Sequence, residues 1–206
     1  YPFDGASYLV RKNPFALVRA FAQSRLAKEG WKLVLKTKNL LDSPEQGRKL
    51  FQLCAEVPAV VLIDRGLDMD AMSNLMAMAD IYAPPHCSEG FGLTVAEAMA
   101  MGKLVVATDY SGTRDFLDAD CGFPVRYQLE SLKSSHGHYT RGNVWAKIDE
   151  NHLAESLCQA ASRIAANDTS IGERARERVA RQLSARNIGD LIHQSIRQIM
   201  ALPEKA

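Results

Sequence analysis

Short apolar runs alternate with segments of helical periodicity along most of the chain, and this alternation limits the possible folds more than any other feature. The apolar runs are too short to span a bilayer. The run at 57–63 is apolar apart from its proline, which is typical of a strand buried on both faces of a parallel sheet. We expect an α/β fold with a Rossmann-like, doubly wound parallel sheet. The predicted strands cover residues 5–10, 31–35, 57–63, 80–83, 104–107 and 121–126, the last of which we take as the final strand.

Helix-start signals follow several of these runs. Asn13-Pro14 is typical of an N-cap followed by proline in the first turn, and Gly30 closes that helical segment. Ser43-Pro44 begins a second helix with a capping-box pattern. A methionine-rich stripe over 69–79 predicts a third helix, whose methionines we assign to the core rather than to a peptide-binding groove. Further helices are predicted over 94–101, 150–165, 170–184 and 187–201.

Composition and charge exclude several classes of protein. Hydrophobic residues make up 47% of the chain and charged residues 24%, which is enough apolar surface for a core and argues against disorder. The formal net charge is +1, so nothing draws the whole chain toward nucleic acid. No aromatic residues interleave with the basic residues of the segment 170–184, as single-strand binding would favour. We predict a solvated face for its arginines, which are Arg174, Arg176, Arg178 and Arg181.

The cysteines and the acidic pairs do not predict a metal site. Four cysteines stand at 54, 87, 121 and 158, without the close spacing of zinc ligands. Scattered cysteines in apolar surroundings indicate a reducing compartment, so we expect a cytoplasmic protein. Asp68-Met69-Asp70 has the letters of a D-x-D motif but stands at a helix start, where capping explains it.

Two features bear on domain organisation. The polar stretch from about residue 130 to 144 predicts a long loop, in which His136 and His138 have no evident partner. The chain begins at Tyr1 rather than Met, so we expect a piece of a larger protein. We divide it into a Rossmann-like domain over 1–165 and C-terminal helices over 166–206 that pack on it.

The stretch from Pro84 to Met99 carries the chemistry. It follows a predicted strand and opens a helix, at the carboxyl edge where doubly wound sheets bind ligands. Its glycines permit close approach of a backbone, and free amides at the helix start would suit a phosphate. Simpler explanations stay open for each residue. The pattern from Thr94 to Glu97 fits a capping box, the glycines suit a turn, and Glu89 suits an exposed loop.

The segment from Glu89 to Glu97 resembles the E-x7-E motif of retaining glycosyltransferases of family 4, which have the GT-B fold. The resemblance continues to Thr108 and includes the segments 3–14, 110–116 and 145–146, so that it covers about residues 3–165. Some of these segments are similar to bacterial members that build surface polysaccharides. The resemblance implies that the chain is the C-terminal, donor-binding half of such an enzyme.

The resemblance also implies roles for individual residues. Glu89 would contact the donor sugar and help to stabilise the transition state, and Lys12 would neutralise the leaving diphosphate. Glu97 would accept hydrogen bonds from the ribose. Ser7 stands where many members have an arginine, so Arg11, Lys36 or Lys38 is expected to supply a second cation. The diphosphate would lie against backbone amides of Gly90, Phe91, Gly92, Leu93 and Thr94.

The activity implied is transfer of a hexose from a nucleotide-diphosphate sugar to a glycan or lipid-linked acceptor, without a cofactor or bound metal. The acceptor would be held by an N-terminal domain absent from this chain. Peripheral association of the full-length protein with the inner face of the membrane is a further implication. The base of the nucleotide would lie near Ile63, Asp64 and Arg65. This position does not indicate whether the nucleotide is UDP, GDP or ADP.

Alternatives remain at this stage. One is another GT-B activity, such as a phosphorylase or an epimerase. A second is a domain that binds nucleotide sugars or partners without turnover. A dinucleotide oxidoreductase is disfavoured, because no G-x-G-x-x-G follows the first predicted strand.

Overall fold

The computed structural model describes residues 8–136 and 138–200, in which strands and helices alternate. The helices are α1 (Tyr8–Lys12), α2 (Pro14–Gln23), α3 (Pro44–Ala55), α4 (Met69–Met78), α5 (Leu93–Ala100), α6 (Glu150–Ala165), α7 (Ser170–Gln182) and α8 (Ala185–Met200). The strands are β1 (Leu33–Thr37), β2 (Val60–Asp64), β3 (Ile81–Tyr82), β4 (Leu104–Thr108), β5 (Phe123–Val125), β6 (Tyr127–Ser131) and β7 (Val144–Ile148). Short 3-10 helices cover Leu40–Asp42 and Ser111–Asp115.

The first five strands pair in parallel, as the alternation predicts. β1 pairs with β2 in a register that sets Leu33 opposite Val60, and β3, β4 and β5 form a second ladder in that order. Within the described residues these two ladders do not pair with each other. β6 and β7 pair in antiparallel fashion as a hairpin arm.

Strand β4 is buried along its whole length and carries two cores. Leu104 and Val106 pack into a cluster with α2 and α6, while Val105 and Ala107 pack into a second cluster with α5 and α7. Because alternate residues of a strand point to opposite faces, this arrangement requires helices on both sides of β4. The doubly wound architecture expected from the sequence is therefore confirmed.

Several local predictions are also confirmed. Asn13 caps α2 through a side-chain oxygen that accepts from the Ala16 amide, and Asp68 caps α4 through the Ala71 amide. Asp149 caps α6 in the same way, and α6 has the predicted bounds. All four cysteines are free thiols. At the start of α3, however, Ser43 makes no side-chain capping bond, so the predicted capping box is wrong there.

The first predicted strand is wrong in the part that the structure describes. Residues 8–10 belong to helix α1, while residues 5–7 lie outside the described part. Leu9 is buried in the first core, and its carbonyl accepts from the Asn13 amide at 2.8 Å. An apolar run this short has no period that separates a helical turn from a strand, so tertiary burial decided its conformation.

The prediction that the strand near residue 125 is the last one is also wrong. β6 and β7 follow it, and the expected long loop is the connection between them, residues 132–143, close to the predicted 130–144. Four of the five residues of β6 are exposed, so the strand carries no apolar run. Its hydrogen bonds to β7 stabilise it instead.

The methionine-rich helix contributes to the core only in part, through the half-buried Met76, which packs against the second core. Among the residues of α4 none is buried, and Met69 and Met78 are 85% and 80% exposed. Strand β2 likewise departs from prediction, because Val61 is 44% exposed rather than buried on both faces. Helical periodicity identified the element α4, but it carries no information on what the element packs against.

The arginines of α7 are not simply a solvated face. Arg174 donates to the Asp120 carbonyl at 2.6 Å, and Arg178 donates to the Asp118 carboxylate at 2.8 Å. The hydrogen bond from Arg178 holds the pKa of Asp118 below its usual range. These bonds attach α7 to the segment between β4 and β5. Arg174, Arg176 and Arg181 are exposed as predicted, and Arg178 is half-buried.

Helix α8 leaves a stripe of apolar side chains uncovered. None of its described residues is buried, and Leu191, Ile192 and Ile196 are 50%, 52% and 48% exposed. Within residues 8–136 and 138–200, no helix is long and apolar enough to cross a membrane.

Two methionine substitutions test the assignment of the core. Met99 is fully buried in the second core, so Met99→Ala should lower the free energy of unfolding by about 2–5 kcal/mol. Met78→Ala is the matched control and should change it by less than about 0.5 kcal/mol, because Met78 is exposed. Urea denaturation of both variants measures the difference. Equal losses would contradict the packing described for α4 and α5.

Candidate functional site

The loop between β3 and α5, residues 83–92, is fixed by three separate elements. The Cys87 amide donates to the Arg11 carbonyl of α1 at 2.7 Å, and the Cys87 carbonyl accepts from the Ala146 amide of β7 at 2.8 Å. The Ser111 hydroxyl donates to the Glu89 carbonyl. The two bonds of Cys87 join backbone to backbone, so they hold the loop without depending on side-chain rotamers, and the Ser111 hydroxyl adds a third point of attachment.

Glycines allow this loop to contact the 3-10 helix Ser111–Asp115 closely. A Cβ at Gly112 would lie 2.0 Å from the Gly90 carbonyl oxygen, so only glycine fits there. Gly92 has φ +90, and a Cβ on it would lie 2.6 Å from Cγ2 of Thr113. The two glycines therefore do more than turn the chain, because they permit two backbone segments to pack directly.

The start of helix α5, next to this loop, carries amides that have no hydrogen-bond acceptor among residues 8–136 and 138–200. Gly92 is the N-cap, and its carbonyl accepts from the amides of Val95 and Ala96 at 2.9 and 3.1 Å. The first amides of any helix, here those of Leu93 and Thr94, have no intrahelical acceptor. They carry partial positive charge at the helix N-terminus, which suits an anion.

The simpler explanation of Glu97 as part of a capping box is wrong. Thr94 is the second residue of α5 rather than its cap, and its hydroxyl accepts a 2.8 Å hydrogen bond from the Tyr82 hydroxyl. Burial raises the pKa of that Tyr82 hydroxyl to about 12. The side chain of Glu97 is exposed and makes no hydrogen bond or ion pair with the described part of the chain.

Glu89 lies among cationic groups. Its Oε2 contacts the Lys12 ammonium and lies 3.6 Å from the Arg11 guanidinium. Its Oε1 accepts from the Gly90 amide at 3.2 Å. The side chains of Arg11, Lys12 and Glu89 are only 10%, 24% and 17% exposed, so this cluster is shielded from water. The simpler explanation of Glu89 as an exposed loop carboxylate is therefore wrong.

The balance of charges sets the ionisation of Glu89. Burial by itself raises the pKa of this carboxyl group, but the hydrogen bond and positive charge of Lys12 lower it. The charge of Arg11 lowers it further, and the net result is a pKa below the ordinary value. Glu89 is consequently ionised at neutral pH.

His86 is a buried, neutral support beneath the loop. It is 1% exposed, and its Nε2 lies 3.3 Å from the Tyr110 carbonyl, an acceptor that requires a proton on Nε2. Burial lowers the pKa of His86, and the nearby charge of Lys12 lowers it further, although Glu89 and two backbone carbonyls oppose this. This burial favours a structural role for His86 over a role in lining a pocket.

Not every residue proposed from the sequence belongs to this cluster. Lys36 lies at the end of β1 and donates to the Thr37 carbonyl at 2.7 Å. Burial lowers the pKa of Lys36, as do Lys38 and Arg65, against an opposing effect of Asp64. Ser7 lies outside the described residues, and Phe91 and Leu93 are exposed beside the loop. The structure thus brings together Arg11, Lys12, Glu89 and Gly90.

Sequence reasoning missed the parts that hold the loop in place. Ser111 and Gly112 lay in a segment noted only for its family resemblance, and no periodicity marks their contact with Glu89 and Gly90. His136 was expected to have no partner, but its ring lies 5.8 Å from that of Trp145 in a stacked arrangement. The Tyr139 ring also packs on Trp145, with centroids 4.9 Å apart. This aromatic cluster covers the strand β7 that bonds to Cys87.

The acidic and metal-ligand residues elsewhere form no further centre. The Asp68 carboxylate is used as the cap of α4. Across residues 8–136 and 138–200, no group of three or more His, Cys, Asp or Glu side chains is arranged to hold a metal ion.

Comparison with known proteins gives a consistent set of matches. The family model of the glycosyl transferases group 1 matches residues 6–125. A lipopolysaccharide 1,2-N-acetylglucosaminetransferase of Salmonella typhimurium is 28% identical over 126 residues, which are 58% of this chain and 33% of that protein.

Solved structures share the fold at low sequence identity. HepE of Anabaena, in complex with UDP, matches with a TM-score of 0.69 and 20% identity over 91% of this chain and 46% of its own. The same protein with UDP-glucose gives a TM-score of 0.66. The C-terminal domain of a glycosyl transferase group 1 family protein from Francisella tularensis matches with a TM-score of 0.62 and 18% identity, over 85% of this chain and 81% of that domain.

The chain is shorter than these full-length relatives. It spans about a third of the Salmonella protein and just under half of the HepE chain. It corresponds in extent to the isolated Francisella domain.

Substitution of Gly112 tests the close backbone contact. Gly112→Ala should destabilise the chain by about 1–3 kcal/mol, because its Cβ would overlap the Gly90 carbonyl, which cannot move without shifting the loop. Gly90→Ala is the matched control in the same contact. Nothing lies within 4 Å of a Cβ at Gly90, so its stability should change by less than about 1 kcal/mol. Thermal unfolding measures the stability of the two variants. Equal stability would contradict the close contact between Gly112 and the Gly90 carbonyl.

The burial of His86 predicts an acid-sensitive fold. Because the pKa of His86 is lowered by folding, the unfolded chain takes up a proton near pH 6.5 that the folded chain does not. Stability should therefore fall as the pH drops below about 6.5, by at most about 1.4 kcal/mol per pH unit from this group.

The matched variants isolate this effect. In His86→Gln the corresponding part of the pH dependence should vanish, as measured by urea denaturation from pH 7.5 to 5. His193→Gln, on the exposed helix α8, removes an imidazole without touching the loop and should keep the wild-type dependence. A His86→Gln curve parallel to that of the wild type would contradict the prediction.

Proposed function

This chain belongs to the glycosyl transferases group 1 and corresponds to their C-terminal domain, one half of a GT-B fold, and we propose that it binds the nucleotide-diphosphate sugar donor. The parent enzyme would transfer a hexose from this donor to a glycan or lipid-linked acceptor, with retention of configuration. The acceptor would be held by a further domain of that enzyme.

One observation carries the proposal. Three anion-binding groups meet at the carboxyl ends of β3 and β4. They are the Lys12 ammonium, the glycine-rich loop and the start of α5 with its amides. Glu89 precedes the glycines of this segment in the sequence, and Glu97 follows them. A diphosphate is an anion that accepts hydrogen bonds at several oxygens. A fixed ammonium and helix amides are the groups that bind such an anion without a metal.

The proposed roles follow from these positions. The Lys12 ammonium and the amides from Gly90 to Thr94 would bind the diphosphate. Glu97, which is exposed just beyond those amides, would accept hydrogen bonds from the ribose hydroxyls. Glu89 would face the hexose. Arg11 is favoured over Lys36 as the second cation, because Arg11 lies in the Glu89 cluster and Lys36 does not.

These groups suit transfer of a glycosyl unit. The bond between the anomeric carbon and the diphosphate oxygen breaks, and its electron pair stays on the diphosphate. Lys12 and the α5 amides would stabilise the charge that develops there, while the Glu89 carboxylate would stabilise positive charge on the sugar ring. The oxygen of the acceptor hydroxyl forms the new bond to the anomeric carbon, and its proton passes to the departing diphosphate oxygen.

Only the similar proteins indicate which nucleotide sugar is the donor. HepE binds UDP and UDP-glucose, and the Salmonella relative is an N-acetylglucosaminetransferase. We therefore place a UDP-hexose first among the donors, with GDP-mannose as the second choice. The division at residue 165, the cytoplasmic location and peripheral membrane association of the full-length protein are further parts of the proposal.

Calorimetric titration with UDP, GDP and ADP tests the donor-binding role. One nucleotide should bind in the presence of EDTA, because the proposed site uses Lys12 and backbone amides rather than a metal. Glu97→Gln should weaken that binding about 10- to 100-fold, through loss of hydrogen bonds to a charged group.

The control for this titration is Glu155→Gln. Glu155 is an exposed glutamate on α6, and its loss should leave the affinity unchanged. Absence of binding by every one of these nucleotides and by UDP-glucose and GDP-mannose as well, or equal effects of the two substitutions, would sink the proposal for this domain.

A further inference from the structure

Glu89 occupies the groups that the proposed function assigns to the diphosphate. Its Oε2 contacts the Lys12 ammonium and lies 3.6 Å from Arg11, and its Oε1 accepts from the Gly90 amide. The carboxylate therefore acts on these donors as an internal anion. A diphosphate that bound to the same ammonium and amide would compete with Glu89 for them.

The backbone of Glu89 cannot simply move out of the way. Its carbonyl accepts from the Ser111 hydroxyl, and the next residue, Gly90, packs directly against Gly112. Ser88 is held as well, since its carbonyl accepts from Arg11 at 2.7 Å. A bound diphosphate would thus have an ionised carboxylate as a close neighbour in a shielded site, where repulsion between like charges is strong.

A nucleotide-diphosphate sugar and a free nucleoside diphosphate would place different groups near Glu89. A nucleotide-diphosphate sugar carries hexose hydroxyls, which donate hydrogen bonds to a carboxylate displaced from Lys12. A bare nucleoside diphosphate carries additional negative charge at its terminal phosphate and no hydroxyl at that position. The charge of Glu89 is compensated by hydrogen bonds when the nucleotide sugar binds. When the free nucleoside diphosphate binds, the Glu89 carboxylate faces another anion.

We infer that Glu89 is a specificity residue that makes this site favour the nucleotide-diphosphate sugar over the free nucleoside diphosphate. The inference rests on the proposed function and deepens it. As a consequence, the carboxylate that accepts hydrogen bonds from the donor sugar also repels the nucleoside diphosphate that remains after transfer. This product therefore does not block the site.

The experiment compares wild type, Glu89→Gln and Glu97→Gln by calorimetry. Each is titrated with UDP and UDP-glucose, with GDP and GDP-mannose, and with inorganic pyrophosphate. Glu89→Gln should bind the free nucleoside diphosphate and pyrophosphate about tenfold more tightly than wild type, because a like charge is removed. Its affinity for the nucleotide sugar should stay the same or fall, so the preference for the sugar shrinks about tenfold or more.

Glu97→Gln is the matched control, because it makes the same chemical change in the same motif. It should weaken the nucleotide and the nucleotide sugar together and leave pyrophosphate unaffected. Glu89→Ser serves as a second variant that also removes the charge, and thermal unfolding verifies that each variant is folded.

The outcomes separate the two proposals. If wild type binds a nucleotide sugar but Glu89→Gln and Glu89→Ser bind the free nucleotide no more tightly than wild type does, the specificity role of Glu89 is overturned and donor binding stands. If no variant binds any nucleotide, nucleotide sugar or pyrophosphate, both proposals are overturned. Nucleotide binding that appears only after removal of the Glu89 charge supports the inference.

Discussion

Burial of β4 on both faces is the constraint that organises the other elements, because its alternating side chains must be covered from two sides. Leu104 and Val106 require α2 and α6, and Val105 and Ala107 require α5 and α7. Parallel pairing of β3, β4 and β5 then brings the carboxyl ends of neighbouring strands to one edge. The loops after β3 and β4 meet there, which is why the 3-10 helix Ser111–Asp115 can pack on the loop 83–92.

Electrostatic compensation governs the chemistry of that edge. Glu89 is shielded from water, and the hydrogen bond of Lys12 with the charges of Lys12 and Arg11 outweighs the effect of burial, so that its pKa lies below the ordinary value. A half-buried charge of either sign without its partner would cost several kcal/mol. The cations of α1 and the carboxylate of the loop are therefore one unit, and a ligand that binds to one of them changes the balance for the other. This coupling connects the proposed donor binding with the proposed selectivity for the sugar-bearing nucleotide.

Prediction from sequence succeeded where the signal is local. Asn13-Pro14 before α2, Asp68 before α4 and the long amphipathic pattern of α6 each identify a helix, because capping and helical period act within a few residues. Prediction failed where partners are distant. The residues of α1 resemble a strand until the burial of Leu9 is known, and β6 has no apolar pattern of its own. Met69 is exposed although its spacing suggested core.

The sequence by itself determined the alternation of strands and helices, the parallel sheet and the motif from Glu89 to Glu97, since period, capping and residue spacing are properties of a continuous segment. Only the tertiary structure decided which charges meet, because Lys12 and Glu89 are 77 residues apart in the chain. It also decided that Gly112 must be a glycine, since the Gly90 carbonyl lies where its Cβ would be. Contacts of this kind depend on how the fold brings the strand ends together. No local pattern in the chain encodes the distance in space between residues so far apart in sequence.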